Sequence, residues 1–255
     1  MIITDDFVMI NYPKTGSTFA RDIIFSIYAR SGRKIVDLSL PVITNTTEIG
    51  NKSQHGTVEQ IPVEHRHKKI VSILRNPFDR YVSLYAFKWW HKIPPAPINI
   101  IKSKFKSFPN LSFSEYIQMT MEYSRSNVLK AYNYLGPVVS GLDTLQHIAY
   151  YSRNPFAAFE ALSTNGNTYS SIEPYMENVT FLSQQRLRKD ICNYLNHCGF
   201  DDEQLEPIMS APELNVSRSS ELESWEKYYD SKLYDEVAIL EQPLLEKFNY
   251  ILGVK

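Results

Sequence analysis

An apolar run, Phe7-Val8-Met9-Ile10, passes through Asn11 and Tyr12 into a short polar loop, Pro13-Lys14-Thr15-Gly16-Ser17-Thr18. Phe19, Ile23, Ile24, Ile27 and Tyr28 then recur at helical spacing. The pattern predicts a strand, a tight loop and a helix. A second passage repeats it: Lys69-Ile70-Val71-Ser72-Ile73-Leu74 reads as a buried strand. Asn76 is a good N-cap, Pro77 suits the first helical position, and Asp79 supplies the acid of a capping box. Strand and helix patterns alternate along the whole chain, which predicts one α/β domain over residues 1–255.

Two stretches break the rhythm. Pro94, Pro95 and Pro97 interrupt any helix and predict a long loop, a flap or acceptor loop around 88–110. Pro207, Pro212 and Asn215-Val216-Ser217 predict an irregular connection from Leu205 to Ser220. Helical patterns resume over 221–229 and 232–248.

The strand–loop–helix passages carry the candidate chemistry. Such a turn points backbone N–H groups and the positive end of a helix at one spot, which binds anions, phosphate above all. Lys14 adds a full charge, Gly16 admits a close backbone approach, and Ser17 and Thr18 offer hydroxyl donors. The bland reading is an ordinary βα turn with a capped helix. The loop is not a Walker A motif, whose lysine follows the last glycine, whereas Lys14 precedes Gly16. The second passage places Arg75 at the carboxyl end of a strand, where ligands bind in open α/β sheets. Arg80 and Ser83, three apart, share one face of the helix that follows. Two phosphate-type sites suggest one ligand with two separated anionic groups.

Composition narrows this little. Hydrophobic residues at 43% and charged residues at 22% are ordinary for a globular protein. The 17 tyrosines fit a core and, beyond it, a stacking or sugar-binding surface. A net charge of −1 gives no global field to recruit nucleic acid or an anionic membrane. Charge is local instead: Lys88-Trp89-Trp90-His91-Lys92, with Lys102, Lys104 and Lys106, makes a basic, aromatic tract. It reads as a grip on an acidic or sugar acceptor, or as a solvated lysine face with Trp89 or Trp90 packed inward. Cys192 and Cys198 have no metal-site spacing, and no histidine–carboxylate cluster suggests a metal. Ile2-Ile3-Thr4-Asp5-Asp6 is too short and acidic for a signal peptide, and there is no transmembrane-length apolar stretch near it. The expectation is a cytoplasmic enzyme with no nucleic-acid or membrane partner.

Tyr12-Pro13-Lys14-Thr15-Gly16-Ser17-Thr18 resembles the 5′-phosphosulfate loop of the sulfotransferases that use PAPS (3′-phosphoadenosine 5′-phosphosulfate). Arg75-Asn76-Pro77-Phe78-Asp79-Arg80-Tyr81-Val82-Ser83 is similar to their 3′-phosphate motif, in the expected order and separation. Val179-Thr180-Phe181-Leu182-Ser183 with Leu187-Arg188-Lys189-Asp190-Ile191 resembles the late strand and helix of the carbohydrate-type members. Asn215-Val216-Ser217-Arg218 and the segments after it resemble their closing segment. The resemblance implies a three-layer P-loop-like fold with a central, mainly parallel sheet flanked by helices. It implies PAPS as sulfonate donor, PAP (adenosine 3′,5′-bisphosphate) as product, and no metal. Lys14, Thr15, Gly16, Ser17 and Thr18 would hold the 5′-phosphosulfate, Arg75 and Ser83 the 3′-phosphate, and Arg218 would contact the nucleotide from a late loop. The acceptor would be a glycan or a small hydroxylated molecule.

Sulfonate transfer asks for a cation near the leaving phosphate and a base for the acceptor proton. Lys14 is the candidate cation. His55 leads six histidines for the base, because the resemblance places a histidine in a His-x-Thr setting before the 3′-phosphate strand. Glu59 comes second, since some glycan sulfotransferases use a glutamate. The alternatives are an ATP-dependent small-molecule kinase, disfavoured by the missing Walker lysine, and a non-catalytic nucleotide-binding protein.

Overall fold

The computed structural model describes residues 1–211 and 224–250. Strands β1 (Ile2–Thr4) and β2 (Phe7–Met9) precede helix α1 (Ser17–Ser31). Strands β3 (Ile35–Asp37), β4 (Leu40–Pro41) and β5 (Lys52–Ser53) lead to β6 (Lys69–Leu74). Helices α2 (Pro77–Phe87), α3 (Ile98–Lys104), α4 (Phe113–Met119), α5 (Arg125–Ala131), α6 (Leu142–Tyr151), α7 (Pro155–Asn165) and α8 (Tyr169–Ile172) follow. The chain closes with β7 (Val179–Ser183), α9 (Leu187–His197), α10 (Asp202–Ser210), α11 (Ser231–Leu240) and α12 (Gln242–Lys247). These elements form two compact units. The first holds Met1–Pro41, Lys52–Arg75 and the described residues 178–211; the second holds Val42–Asn51, Asn76–Glu177 and the described residues 224–250.

The first unit is built on a five-stranded sheet of order β3-β1-β2-β6-β7. Strands β2, β6 and β7 run parallel, with Val8 opposite Ile70 and Ile70 opposite Val179. Strand β1 lies antiparallel to both β2 and β3. The fold is thus α/β with a central, mainly parallel sheet flanked by helices. Strand β6 shows why its sequence is an almost unbroken apolar run: five of its six residues, Ile70 to Leu74, are buried, so both faces of the strand are covered. Phe7, Met9, Val71, Ile73 and Leu182 pack with Phe19, Ile24 and Ile27 of α1, Ile191 and Leu195 of α9, and Leu205 and Ile208 of α10. Ser72 is the polar exception among the buried residues of β6, and its hydroxyl donates to the Ile10 carbonyl at 2.7 Å, tying β6 to the end of β2. The short acidic segment at the start of the chain is itself a strand, β1. Two buried isoleucines and Thr4, whose hydroxyl donates to the Phe7 carbonyl at 3.0 Å, close a tight hairpin there.

The second unit is helical, with one apolar core running through α2 to α8, α11 and α12. Helix α2 starts as predicted, with Asn76 accepting from the Phe78 N–H and Pro77 in the first turn. Arg80, which shares a helix face with Ser83 in the sequence pattern, is turned into the core. It is 1% exposed and donates to Asp143 at 2.6 Å and to Gln146 at 2.7 Å. Helix α6 has no side-chain cap from Gly141, its N-cap residue. Glu241, 97 residues on from Thr144, supplies one instead: it accepts from the N–H groups of Asp143 and Thr144, from the Thr144 hydroxyl and from Tyr81. Burial and the Asp143 charge push the Glu241 carboxyl up to about 7, against the pull of those hydrogen bonds.

Where the prolines predict one long loop, residues 88–110 contain a single turn at Trp89–His91 and helix α3. Pro97 stands just before the first turn of α3, a position that needs no N–H from it. Trp90, Ile101, Phe105 and Phe108 are buried and anchor the segment, while Lys88, Lys92, Lys102, Lys104 and Lys106 are exposed. The lysines of that tract are thus solvated and Trp90 is turned inward.

Two outcomes follow from the buried charges. Asp143→Ala leaves Arg80 buried without its carboxylate and should cost about 3–5 kcal/mol in urea unfolding, whereas Asp143→Leu with Arg80→Met should cost far less. Glu241 binds its proton more tightly folded than unfolded, so its contribution is present below about pH 4.5 and lost as pH rises through about 7. Stability curves of wild type and Glu241→Gln should diverge across that window, with the wild type falling.

Candidate functional site

The first unit brings the predicted loop to the carboxyl end of β2. Lys14 and Gly16 both have left-handed backbone, φ 65° and 87°. Two such residues within three positions turn the chain sharply from strand to helix. For Lys14 this conformation carries strain of the kind found at functional loops. Gly16 is the N-cap of α1 and has no side chain to offer, so the first turn of that fifteen-residue helix begins without a side-chain cap from it. A Cβ at Gly16 would also lie 3.0 Å from the Leu187 side chain.

The hydroxyls of the loop are spent on the backbone. Thr15 donates to the Tyr12 carbonyl at 2.8 Å and Ser17 donates to the same carbonyl at 3.0 Å, and both residues are buried. They fix the shape of the turn, and Thr18 beside them is half-buried. Arg75, directly after β6, reaches the same loop: its guanidinium donates to the Lys14 carbonyl at 3.1 Å. The structure thus brings together Lys14, Thr15, Gly16, Ser17, Thr18 and Arg75. Because β2 and β6 are adjacent in the sheet, residues some 60 positions apart meet there.

His55 joins this group from a turn after β5. Its Nδ1 lies 2.6 Å from the Asn11 carbonyl, and its own N–H donates to the Ser53 hydroxyl. The turn is tight, since a Cβ at Gly56 would lie 2.6 Å from the Leu40 side chain and 2.9 Å from that of Met1. Glu59 lies on the single helical turn Val58–Gln60, half-buried, and burial raises its carboxyl above the ordinary range. Ser83 stands on α2 in the second unit, half-buried. Arg218 lies outside the described residues. Asn11 is the residue that the sequence passes over. It is fully buried at the end of an apolar run, and a polar side chain in that place was the available signal. Among the described residues no group of three or more His, Cys, Asp or Glu could hold a metal ion. None of the described helices is long and apolar enough to cross a membrane.

A family model described as the sulfotransferase domain matches residues 4–135. Among solved structures, a crystal structure of mouse sulfotransferase SULT7A1 complexed with PAP aligns with 97% of this chain and 86% of its own. The identity is 16% and the TM-score 0.43. No curated protein matches.

Gly16→Ala forces an L side chain into the left-handed region and should cost about 1–2 kcal/mol in urea unfolding. It should also weaken any anion held at the start of α1, read by titration with PAP. Unchanged stability and affinity together would show that this turn is not under the constraint described.

Proposed function

The chain belongs to the sulfotransferase domain family, and we propose that it transfers a sulfonate group from PAPS to a carbohydrate hydroxyl. The observation that carries this reading is the helix α1 that starts without a cap from Gly16, with Lys14 on its loop and Arg75 reaching that loop from the end of β6. That set suits two anionic groups of one nucleotide: backbone donors and a lysine for a phosphosulfate, an arginine for a second phosphate. PAPS, when bound, supplies an activated sulfonate whose leaving group is a phosphate.

The residues of the chain take the following parts. Lys14 and the first-turn N–H groups, with Thr18, hold the 5′ end, while Thr15, Gly16 and Ser17 shape the loop that presents them. Arg75 pairs with the 3′-phosphate; Ser83 and Arg218 keep their nucleotide roles on the motif resemblance alone. His55 is the base. The Asn11 carbonyl can only accept, so Nδ1 carries the proton in the neutral ring and the lone pair lies on Nε2. Nε2 takes the proton of the acceptor hydroxyl as its oxygen bonds to sulfur, and Lys14 stabilises the charge that builds on the departing phosphate. Glu59 is the second candidate base, favoured by its raised carboxyl pKa. A carbohydrate acceptor rests on the late-strand resemblance and on the aromatic content of the chain, and the cytoplasm is the proposed location.

Calorimetric titration with PAP, beside ATP plus magnesium, tests the donor site. Metal-independent binding of PAP that Arg75→Ala weakens by about tenfold or more supports it; preference for ATP with magnesium returns the reading to a kinase. With labelled PAPS and a panel of saccharides, Lys14→Ala should abolish transfer. His55→Ala should lower turnover by about 100-fold with nucleotide affinity unchanged. PAP binding with no transfer to any acceptor would leave a non-catalytic nucleotide-binding protein.

A further inference from the structure

Asn11 holds the His55 turn at two points. Its backbone carbonyl accepts from the ring Nδ1 at 2.6 Å, and its side-chain Nδ2 donates to the Gln54 carbonyl, one residue before His55, at 3.4 Å. The Gln54 carbonyl also accepts from the Met1 amine at 2.5 Å. The orientation of the Asn11 amide follows from chemistry: turned over, its oxygen would face the Gln54 oxygen. In the orientation that donates, Oδ1 is buried with no hydrogen-bond partner. A buried carbonyl without a donor is unfavourable, and each such group calls for an explanation. The residue is 0% exposed, so it touches no substrate.

Stability alone does not account for this arrangement. One long hydrogen bond is gained and one acceptor is stranded, so an apolar residue of similar size would serve the fold as well or better. What the amide adds is control over the turn that carries His55. We propose that Asn11 is a positioning residue. Its carbonyl sets which ring nitrogen of His55 bears the proton, and its side chain holds the turn so that Nε2 keeps its direction. The inference rests on the reading of His55 as the base.

The test uses Asn11→Leu, with the same branching but bulkier and without the stranded oxygen, and Asn11→Ala as a second variant should the leucine fail to fold. Turnover should fall by about tenfold or more while KM for PAPS stays within about twofold, because a misplaced base costs rate rather than nucleotide binding. The melting temperature should stay near that of wild type, since the one long hydrogen bond lost is offset by removal of the stranded oxygen. On a His55→Ala background the same substitution should change turnover by less than about twofold, because two residues acting through one step are not additive. Ring nitrogen-15 spectra give a readout independent of activity. Wild-type His55, assigned against His55→Ala, should show the Nδ1–H form; the Asn11 variant keeps the carbonyl but no longer holds the turn against it, and should mix in the Nε2–H form. Unaltered spectra in the variant, or an equal loss of turnover on both backgrounds, would overturn the proposal. Full turnover in His55→Ala would instead overturn the assignment of the base, and the spectra would still decide whether Asn11 sets the ring.

Discussion

The chemistry of the first unit rests on how one helix begins. An α-helix starts with backbone N–H groups that have no partner inside it, and something must meet them. At α1 the N-cap is a glycine in left-handed conformation, which brings no oxygen of its own. The two nearest buried hydroxyls, Thr15 and Ser17, are committed to the Tyr12 carbonyl. The turn is therefore locked by its side chains, and neither hydroxyl serves as a cap for the helix. Lys14 in a strained conformation and Arg75 bonded to the Lys14 carbonyl add charge to the same place.

The second unit meets the same requirement in the opposite way. Helix α2 is capped locally by Asn76, and α6 is capped by Glu241 from a distant stretch of chain. That carboxylate also takes the Tyr81 hydroxyl, so it joins α2, α6 and the turn between α11 and α12 through one group. Beside it Arg80 and Asp143 form a buried pair. At α2 and α6 the helix starts are met from within the fold.

The strands β2 and β6, the loop from Pro13 to Thr18 and the start of α2 at Asn76-Pro77 were legible because each is written in local chemistry: apolar runs, a cap, a proline at the first turn. What escaped depends on partners far along the chain. Arg80 reads only as sharing a helix face with Ser83, and nothing nearby announces its ion pair with Asp143, 63 residues later. Glu241 gives no local sign of capping a helix that precedes it. Residues 88–110 read as an open loop because prolines dominate locally, yet Pro97 sits where a helix accepts it and four large apolar side chains anchor the segment. Asn11 was hidden by its apolar neighbours. His55, by contrast, was found by likeness to a motif; spacing alone did not single it out from the other five histidines.

The adjacency of β2 and β6 has a wider implication. Two parallel strands in one sheet are held at a spacing of about 4.8 Å by their hydrogen bonds, here reinforced by Ser72 on the Ile10 carbonyl. The distance between the loop after β2 and Arg75 after β6 is thus dictated by the sheet, and the intervening chain does not set it. Residues 52–68, which carry His55, re-enter that frame only at β6. Changes of length or sequence within that stretch can therefore reshape the turn at His55 while the separation of the two strand ends stays as the sheet sets it.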